Sequence, residues 1–185
     1  MKNRDKIFLL DAMSLIYKYY YVFLSRPLVT KKGLNVGAVY GFMNFLFNII
    51  EKEAPQYLVV AFDNKEPTFR HHLYPEYKAT RQKMPEDLIP QMEKIKEIVR
   101  QMNISLVELP GYEADDIVGT IAKAAEQKGL DVFCVTSDKD YMQLISDNVK
   151  MYRPGKFGNE IEIITRDEVQ AKYGVTTDQL IDFFA

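Results

Sequence analysis

The sequence is poor in cysteine: Cys134 stands alone among 185 residues. A single thiol cannot form an intrachain disulfide, and a reducing, cytoplasmic setting is expected. Long hydrophobic runs are also missing. The apolar stretch "FMNFLFNII" (42–50) falls well short of the roughly 20 residues that a spanning helix needs. The start, "MKNRDKIFLLDA", is charged and its apolar run breaks at Asp11, so neither a signal peptide nor a membrane partner is expected. There is no phosphate loop, no dinucleotide fingerprint and no arrangement of Ser, His and Asp that could form a triad. Repeats, low-complexity tracts and linkers are absent, and residues 1–185 read as one domain. No sign of charge dominates: the formal net charge is −2. As a global number that speaks mildly against a nucleic-acid partner, but distribution matters more than the sum.

What is present is a globular composition, 47% hydrophobic and 27% charged, in a chain long enough to bury a core without staples. "KIFLL" (6–10) and "YLVVAF" (57–62) read as buried strands, followed by Asp11 and Asp63. "SLVEL" (105–109) and "DVFCVTS" (131–137) read as two more, the second followed by Asp138. Helices are expected over 14–24, 36–53, 86–102 and 113–128, the last stopped by Gly129. Leu88, Met92, Ile95, Ile98 and Val99 form one apolar stripe. "VKMYR" (149–153) and "EIEII" (160–164) read as strands joined by the turn-like "PGKFGN". Capping boxes at Thr165 with Glu168 and Thr176 with Gln179 each open a short helix. Strands alternating with helices predict an α/β domain with a mostly parallel, doubly covered sheet.

"GYEADDIVGTIA" (111–122) crowds Glu113, Asp115 and Asp116 ahead of an apolar run. Ligand crevices of open parallel sheets lie beyond the carboxyl ends of the strands. If the strands ending at Asp11, Asp63 and Asp138 are neighbours, these acids meet at one edge. Asp140 and the 113–116 triplet then join them. Such a cluster needs a cation among its members or raised carboxyl pKa values. Oxygen-only ligands favour Mg²⁺ or Mn²⁺ over zinc. Each piece has an ordinary reading as well. Acids in a first helical turn complement the dipole, and aspartate at a strand end is common turn chemistry. On an ideal helix Glu113 and Asp116 share a side, while Asp115 points roughly 100° away from Asp116. The joint pattern is what points to a metal site.

Residues 64–86 have no clean period and read as a long loop or partly helical excursion. Within it, "FRHHLYPEYKATRQK" (69–83) interleaves Arg70, Lys78, Arg81 and Lys83 with Phe69, Tyr74 and Tyr77. Basic groups neutralise phosphates and aromatic faces stack on unpaired bases; a solvated loop with ordinary surface charge is the plainer alternative. Two bound divalent cations would turn the net charge positive, which suits a polyanion. Cys134 reads as a small core residue. Of Tyr19, Tyr20 and Tyr21, at most one is expected to face a groove.

In order along the chain, "FLLDAMSLIYKYYY", "AVYGFMNFL", "VAFDNKEPTFRHHLYPEYKATR", "PGYEADDIVGTIA" and "VTSDKDYMQLI" closely resemble the 5′ nuclease domain of bacterial DNA polymerase I and its stand-alone relatives in the flap endonuclease family. The resemblance runs from about Lys6 to the C-terminus. It implies a PIN-like, mostly parallel central sheet flanked by helices, with a basic arch-like excursion. It implies metal-dependent hydrolysis of DNA near a 5′ end or flap, or of an RNA primer–DNA hybrid, in replication and repair. The family's acids correspond to Asp11, Asp63, Glu113, Asp115, Asp116, Asp138 and Asp140. Two ions, Mg²⁺ with Mn²⁺ as a substitute, are expected. Asp63, Asp115, Asp116 and Asp138 are expected to hold the first, and Asp140 to help hold the second. Lys78 and Arg81 carry the catalytic cations of the pattern Y-K-x-x-R, and Tyr77 is expected to stack on a displaced base. Lys18, where the family usually has arginine, joins Arg70, Tyr77 and Lys83 as a candidate DNA contact.

Two departures stand out. Ala12 and Met13 follow the first aspartate where the family usually has Gly-Ser. The chain ends at Ala185, before the Gly-Asp-x-Ser-Asp-Asn segment and helical DNA-binding motif that family members carry, so it reads as a fragment or a short, monomeric member. A PIN-type ribonuclease and a non-catalytic nucleic-acid binder remain alternatives. An aspartate-based phosphatase is weaker, because Met13 stands where its second aspartate belongs.

Overall fold

The structure is a computed structural model and describes residues 4–155 and 160–184. Strand β1, Lys6–Asp11, runs into helix α1, Ala12–Val22, with no loop between them. The helix begins two residues earlier than its apolar pattern indicates because Asp11 both ends the strand and caps the helix. Its Oδ1 accepts from the Ser14 backbone N–H at 3.1 Å. Helix α2, Gly37–Glu53, follows a loop and stops at Ala54, which adopts the left-handed conformation (φ 44°) ahead of Pro55.

Strand β2 spans Tyr57–Phe62. The excursion after it contains one short helix, α3, Phe69–Leu73, and then consecutive turns. Helix α4, Leu88–Gln101, leads to strand β3, Ser105–Glu108. Helix α5, Ala114–Gln127, ends as its glycine signals: Gly129 takes φ +79° and its N–H bonds the Glu126 carbonyl at 2.8 Å. Strand β4, Asp131–Val135, is followed by a 3₁₀ segment, Lys139–Leu144. Strands β5, Val149–Pro154, and β6, Ile161–Ile164, come next, then helix α6, Arg166–Tyr173. A 3₁₀ turn, Thr177–Gln179, and helix α7, Leu180–Phe184, close the order. Both capping boxes expected from the sequence form. The turn expected over 154–159 falls largely on 156–159, outside the described residues.

The strands form one sheet in the order β3-β2-β1-β4-β5-β6. All neighbours are parallel except β5 and β6. Alternation along β1 sends Phe8 and Leu10 to one face and Ile7 and Leu9 to the other. The first face packs with α1, α2 and α4 around Leu15, Phe42, Leu46 and Ile95. The second packs with α5 through Ile117, Val118 and Ala122, and takes in Cys134. Helices α1 and α2 approach closely at Gly41, where an added Cβ would lie 2.6 Å from the Tyr19 ring. Among the described residues no helix is long and apolar enough to cross a membrane.

Topology decides where the site lies. Strand order reverses at β1, so the crevice opens between the carboxyl ends of β1 and β4. Asp11 is the last residue of β1, Asp63 follows β2, and Asp138 lies three residues past β4. These strands are adjacent, which is the condition for their terminal acids to meet.

Candidate active site

Asp11, Asp63, Glu113, Asp115 and Asp138 line one open cavity of about 860 Å³ beyond the strand ends, and Lys78, Arg81 and Lys83 line its other side. A smaller adjoining cavity of about 340 Å³ shares Asp115 and Asp138 with the first and adds Arg70, Asp116 and Asp140. All seven acids expected from the sequence therefore lie on this edge of the sheet.

Each acid is held differently. Asp11 is 8% exposed; its Oδ1 caps α1 and its Oδ2 accepts from Thr136 Oγ1 at 3.0 Å. Burial pushes its carboxyl pKa up to about 6, the bonds from Ser14 and Thr136 offset part of that, and the charges of Asp63 and Asp138 add to it. Asp63 Oδ1 accepts from the Ala114 N–H at 2.7 Å, tying the end of β2 to the start of α5. Asp138 Oδ1 accepts from the Asp140 N–H at 3.0 Å and opens the 3₁₀ segment. Thr136 joins the two sides of the crevice, because its Oγ1 also accepts from the Asp138 N–H at 3.1 Å.

The triplet divides as helical geometry predicts. Asp116 turns to Arg70, which grips it through two hydrogen bonds of 2.7 Å. Those bonds hold the Asp116 carboxyl below its usual range. Glu113 accepts from Lys78 Nζ at 2.7 Å and from the Tyr77 hydroxyl at 3.1 Å. Burial alone would lower the Lys78 pKa; the bond to Glu113 and its charge outweigh it, and the net shift is upward. Asp115 pairs with no cation among the described residues. Its pKa is raised first by desolvation, then by Asp116 and Glu113. Its side chain opens onto the cavities, so water screening keeps the effect modest.

These pairings change the account of the crowding. Arg70, Tyr77 and Lys78 were expected to face DNA, and Glu113 and Asp116 to face metal. In the structure the two sets neutralise each other, because the excursion folds down over the start of α5. Lys78 reaches Glu113 from a left-handed backbone (φ 57°), a costly conformation for a non-glycine residue that recurs at functional sites. Arg81 and Lys83 line the main cavity without an ion pair among the described residues. Lys18 is not brought to the cavity. Its Nζ donates to the Pro154 carbonyl at 3.0 Å, and burial lowers its pKa.

The uncompensated acids, Asp11, Asp63, Asp115 and Asp138, offer hard oxygen donors and surplus negative charge. That chemistry fits a divalent cation of the Mg²⁺ class. Among the described residues no three acidic, histidine or cysteine side chains already converge as a ligand set, so a cation would draw them together. Tyr17, not singled out in the sequence, also faces the cavity, and Tyr21 is the one member of the tyrosine run that does. Tyr17 lines it beside Tyr21, the rings stacked with centroids 6.3 Å apart. Tyr21 is the exposed member of the tyrosine run, while Tyr19 and Tyr20 are buried. The helical offset of four between Tyr17 and Tyr21 was the available signal.

The chain is 41% identical over 179 residues to a 5′-3′ exonuclease of Aquifex aeolicus, covering 97% of this chain and 60% of the relative. It is 42% identical over 183 residues to DNA polymerase I of Bacillus subtilis, covering 98% of this chain and 20% of that protein. The chain thus spans between a fifth and three fifths of the length of these curated relatives. Among solved structures, the bacteriophage T5 flap endonuclease in a complex with DNA and metal ions superposes with a TM-score of 0.72 at 17% identity, covering 95% of this chain and 64% of that one. The catalytic core of Rad2 bound to a DNA substrate gives 0.57 at 17% identity, covering 96% and 53%. At that identity the likeness speaks to the fold, which is the PIN-like arrangement of a mostly parallel six-stranded sheet flanked by helices. The sequence also matches the family described as "5'-3' exonuclease, N-terminal resolvase-like domain" over residues 6–174. The chain belongs to the 5′-3′ exonuclease family.

Proposed function

We propose that the chain hydrolyses DNA phosphodiester bonds near 5′ ends or flap junctions with Mg²⁺ as cofactor. One observation carries the reading: three adjacent parallel strands deliver Asp63, Asp11 and Asp138 to one edge beside Asp115, facing Lys78 and Arg81 across a single cavity. Asp11, Asp63, Asp115 and Asp138 would hold the cation, with Asp140 at the rim. A bound divalent cation supplies a water of lowered pKa and stabilises charge in an in-line displacement. Arg81 and Lys78 would neutralise the phosphate oxygens as negative charge grows there. For Lys78 this means exchanging Glu113 for phosphate. Tyr17 and Tyr21 offer stacking faces for an unpaired base, and Lys83 extends the basic wall.

The test is cleavage of an end-labelled 5′-flap duplex in Mg²⁺ and in EDTA, with single-stranded RNA as a parallel substrate. Magnesium-dependent release of short 5′ products from the DNA is expected. Preference for RNA would favour the ribonuclease reading instead. A non-catalytic reading draws on the lack of a preformed ligand set among the described residues. It requires DNA binding that is unchanged by EDTA and no cleavage in Mg²⁺.

A further inference from the structure

Lys96 is the one buried lysine among the described residues, and the site described above does not use it. Its amine, on α4, donates to Glu108 Oε2 at 2.7 Å and lies 4.9 Å from the centre of the Phe62 ring. Glu108 ends β3 and Phe62 ends β2, and the two are register partners in the sheet. Burying an ammonium strips it of water, and an apolar pair of similar volume commonly packs as stably. Stability alone therefore does not explain the pair, but its surroundings do. The second oxygen of Glu108, Oε1, accepts from Asn64 Nδ2 at 3.4 Å. Asn64 Oδ1 in turn accepts from the Glu66 N–H at 2.9 Å and closes a turn. Asp63 lies between Phe62 and Asn64, so the pair touches the residue on either side of it.

Asp63 and Asn64 both line the main cavity, whereas Lys96 and Glu108 line neither cavity. Asp63 Oδ1 is occupied by the Ala114 N–H, and its Oδ2 accepts no hydrogen bond from the described residues. That oxygen is the one left for a ligand, and its place depends on the turn that carries it. Lys96 occupies one oxygen of Glu108, which leaves the other for the Asn64 amide. We propose that Lys96 and Glu108 are positioning residues that hold the turn over residues 62–66 so that Asp63 keeps Oδ2 available to a divalent cation. Groups behind a metal ligand fix its orientation and so tune affinity. The inference rests on the metal reading above, and it extends the site to a buried ion pair outside the cavity.

The experiment pairs urea unfolding in EDTA with Mn²⁺ binding followed by electron paramagnetic resonance. Lys96→Met/Glu108→Leu exchanges the ion pair for apolar side chains of similar size and removes the acceptor for Asn64. It is expected to unfold at the wild-type urea midpoint or above. It is expected to bind Mn²⁺ roughly tenfold more weakly, the low end of what partners behind metal ligands contribute. Asn64→Ala cuts the same link from the other side. It should weaken Mn²⁺ binding by a similar factor in wild type and add nothing in the double variant. Wild-type Mn²⁺ affinity in either Lys96→Met/Glu108→Leu or Asn64→Ala overturns the inference and leaves the metal reading standing. So do losses from the pair and from Asn64 that multiply, because the turn is then not held through Glu108. No Mn²⁺ binding by wild type overturns both.

Discussion

Arg70 grips Asp116 through two parallel hydrogen bonds, Nη1 to Oδ2 and Nη2 to Oδ1, each 2.7 Å long. The pair spans 46 residues of sequence and clamps the basic excursion to the first turn of α5. It also explains how Glu113, Asp115 and Asp116 coexist, since the two acids on one side of the helix each have a cation. Breaking the pair leaves a partly buried carboxylate among like charges. Arg70→Gln should therefore cost about 1–2 kcal/mol in urea unfolding, between exposed and buried ion pairs. Asp116→Asn added to it should cost little more. Additive losses from the two substitutions would mean the side chains act independently.

Lys78 and Arg81 differ in a way that stability and binding can separate. Lys78 is bonded to Glu113, whereas Arg81 has no ion-pair partner among the described residues. Arg81→Met should leave the melting temperature unchanged, weaken DNA binding and reduce the salt slope of log K by about one. Lys78→Met should weaken DNA binding and also destabilise by about 1–2 kcal/mol. Equal stability losses for the two would contradict the pairing.

The pH dependence of stability without metal reports on Asp11. Its carboxyl is raised from 3.8 to about 6 by burial, so across that window the folded state holds a proton that the unfolded chain has released. The contribution of Asp11 is most favourable below pH 3.8, falls as pH rises through the window and levels off above about 6. Asp115 acts in the same direction. Asp116, lowered by Arg70, acts in the opposite one, losing stability as pH falls. Asp11→Asn isolates the first effect. In EDTA it should gain up to ~3 kcal/mol over wild type above about pH 6, because each tenfold loss of acidity on folding is worth ~1.4 kcal/mol. The gain should vanish near about pH 4. A difference that stays constant with pH would contradict the burial of an ionisable group there.

Gly41 provides a test away from the site. An alanine Cβ would lie 2.6 Å from the Tyr19 ring, and overpacking of this kind costs about 1–3 kcal/mol. Gly41→Ala should lower stability while leaving cleavage per folded molecule unchanged. A gain in stability would mean that α1 and α2 can separate without loss.

Much of this architecture was legible because single residues announced it. Strand runs ending in Asp11, Asp63 and Asp138 carry a local signal, and the neighbour relation that unites them follows from parallel α/β topology. Gly129 and the Thr165 and Thr176 caps marked helix ends for equally local reasons. The ion pairs were not legible. Arg70 and Asp116 meet only because the excursion folds back, and a stretch without period gives no direction to its side chains. Nor was the direction of Lys18 legible, since its angle around α1 turns its amine to the Pro154 carbonyl and not into the cavity.

The most direct measurement is anomalous diffraction from crystals of the protein soaked in Mn²⁺, with Asp115→Asn soaked in parallel. Wild type should give an anomalous peak bounded by Asp11, Asp63, Asp115 and Asp138, and the variant should lose it. Manganese bound on another face, or an undiminished peak in Asp115→Asn, would contradict the claim that these carboxylates are gathered at the sheet edge to hold a divalent cation.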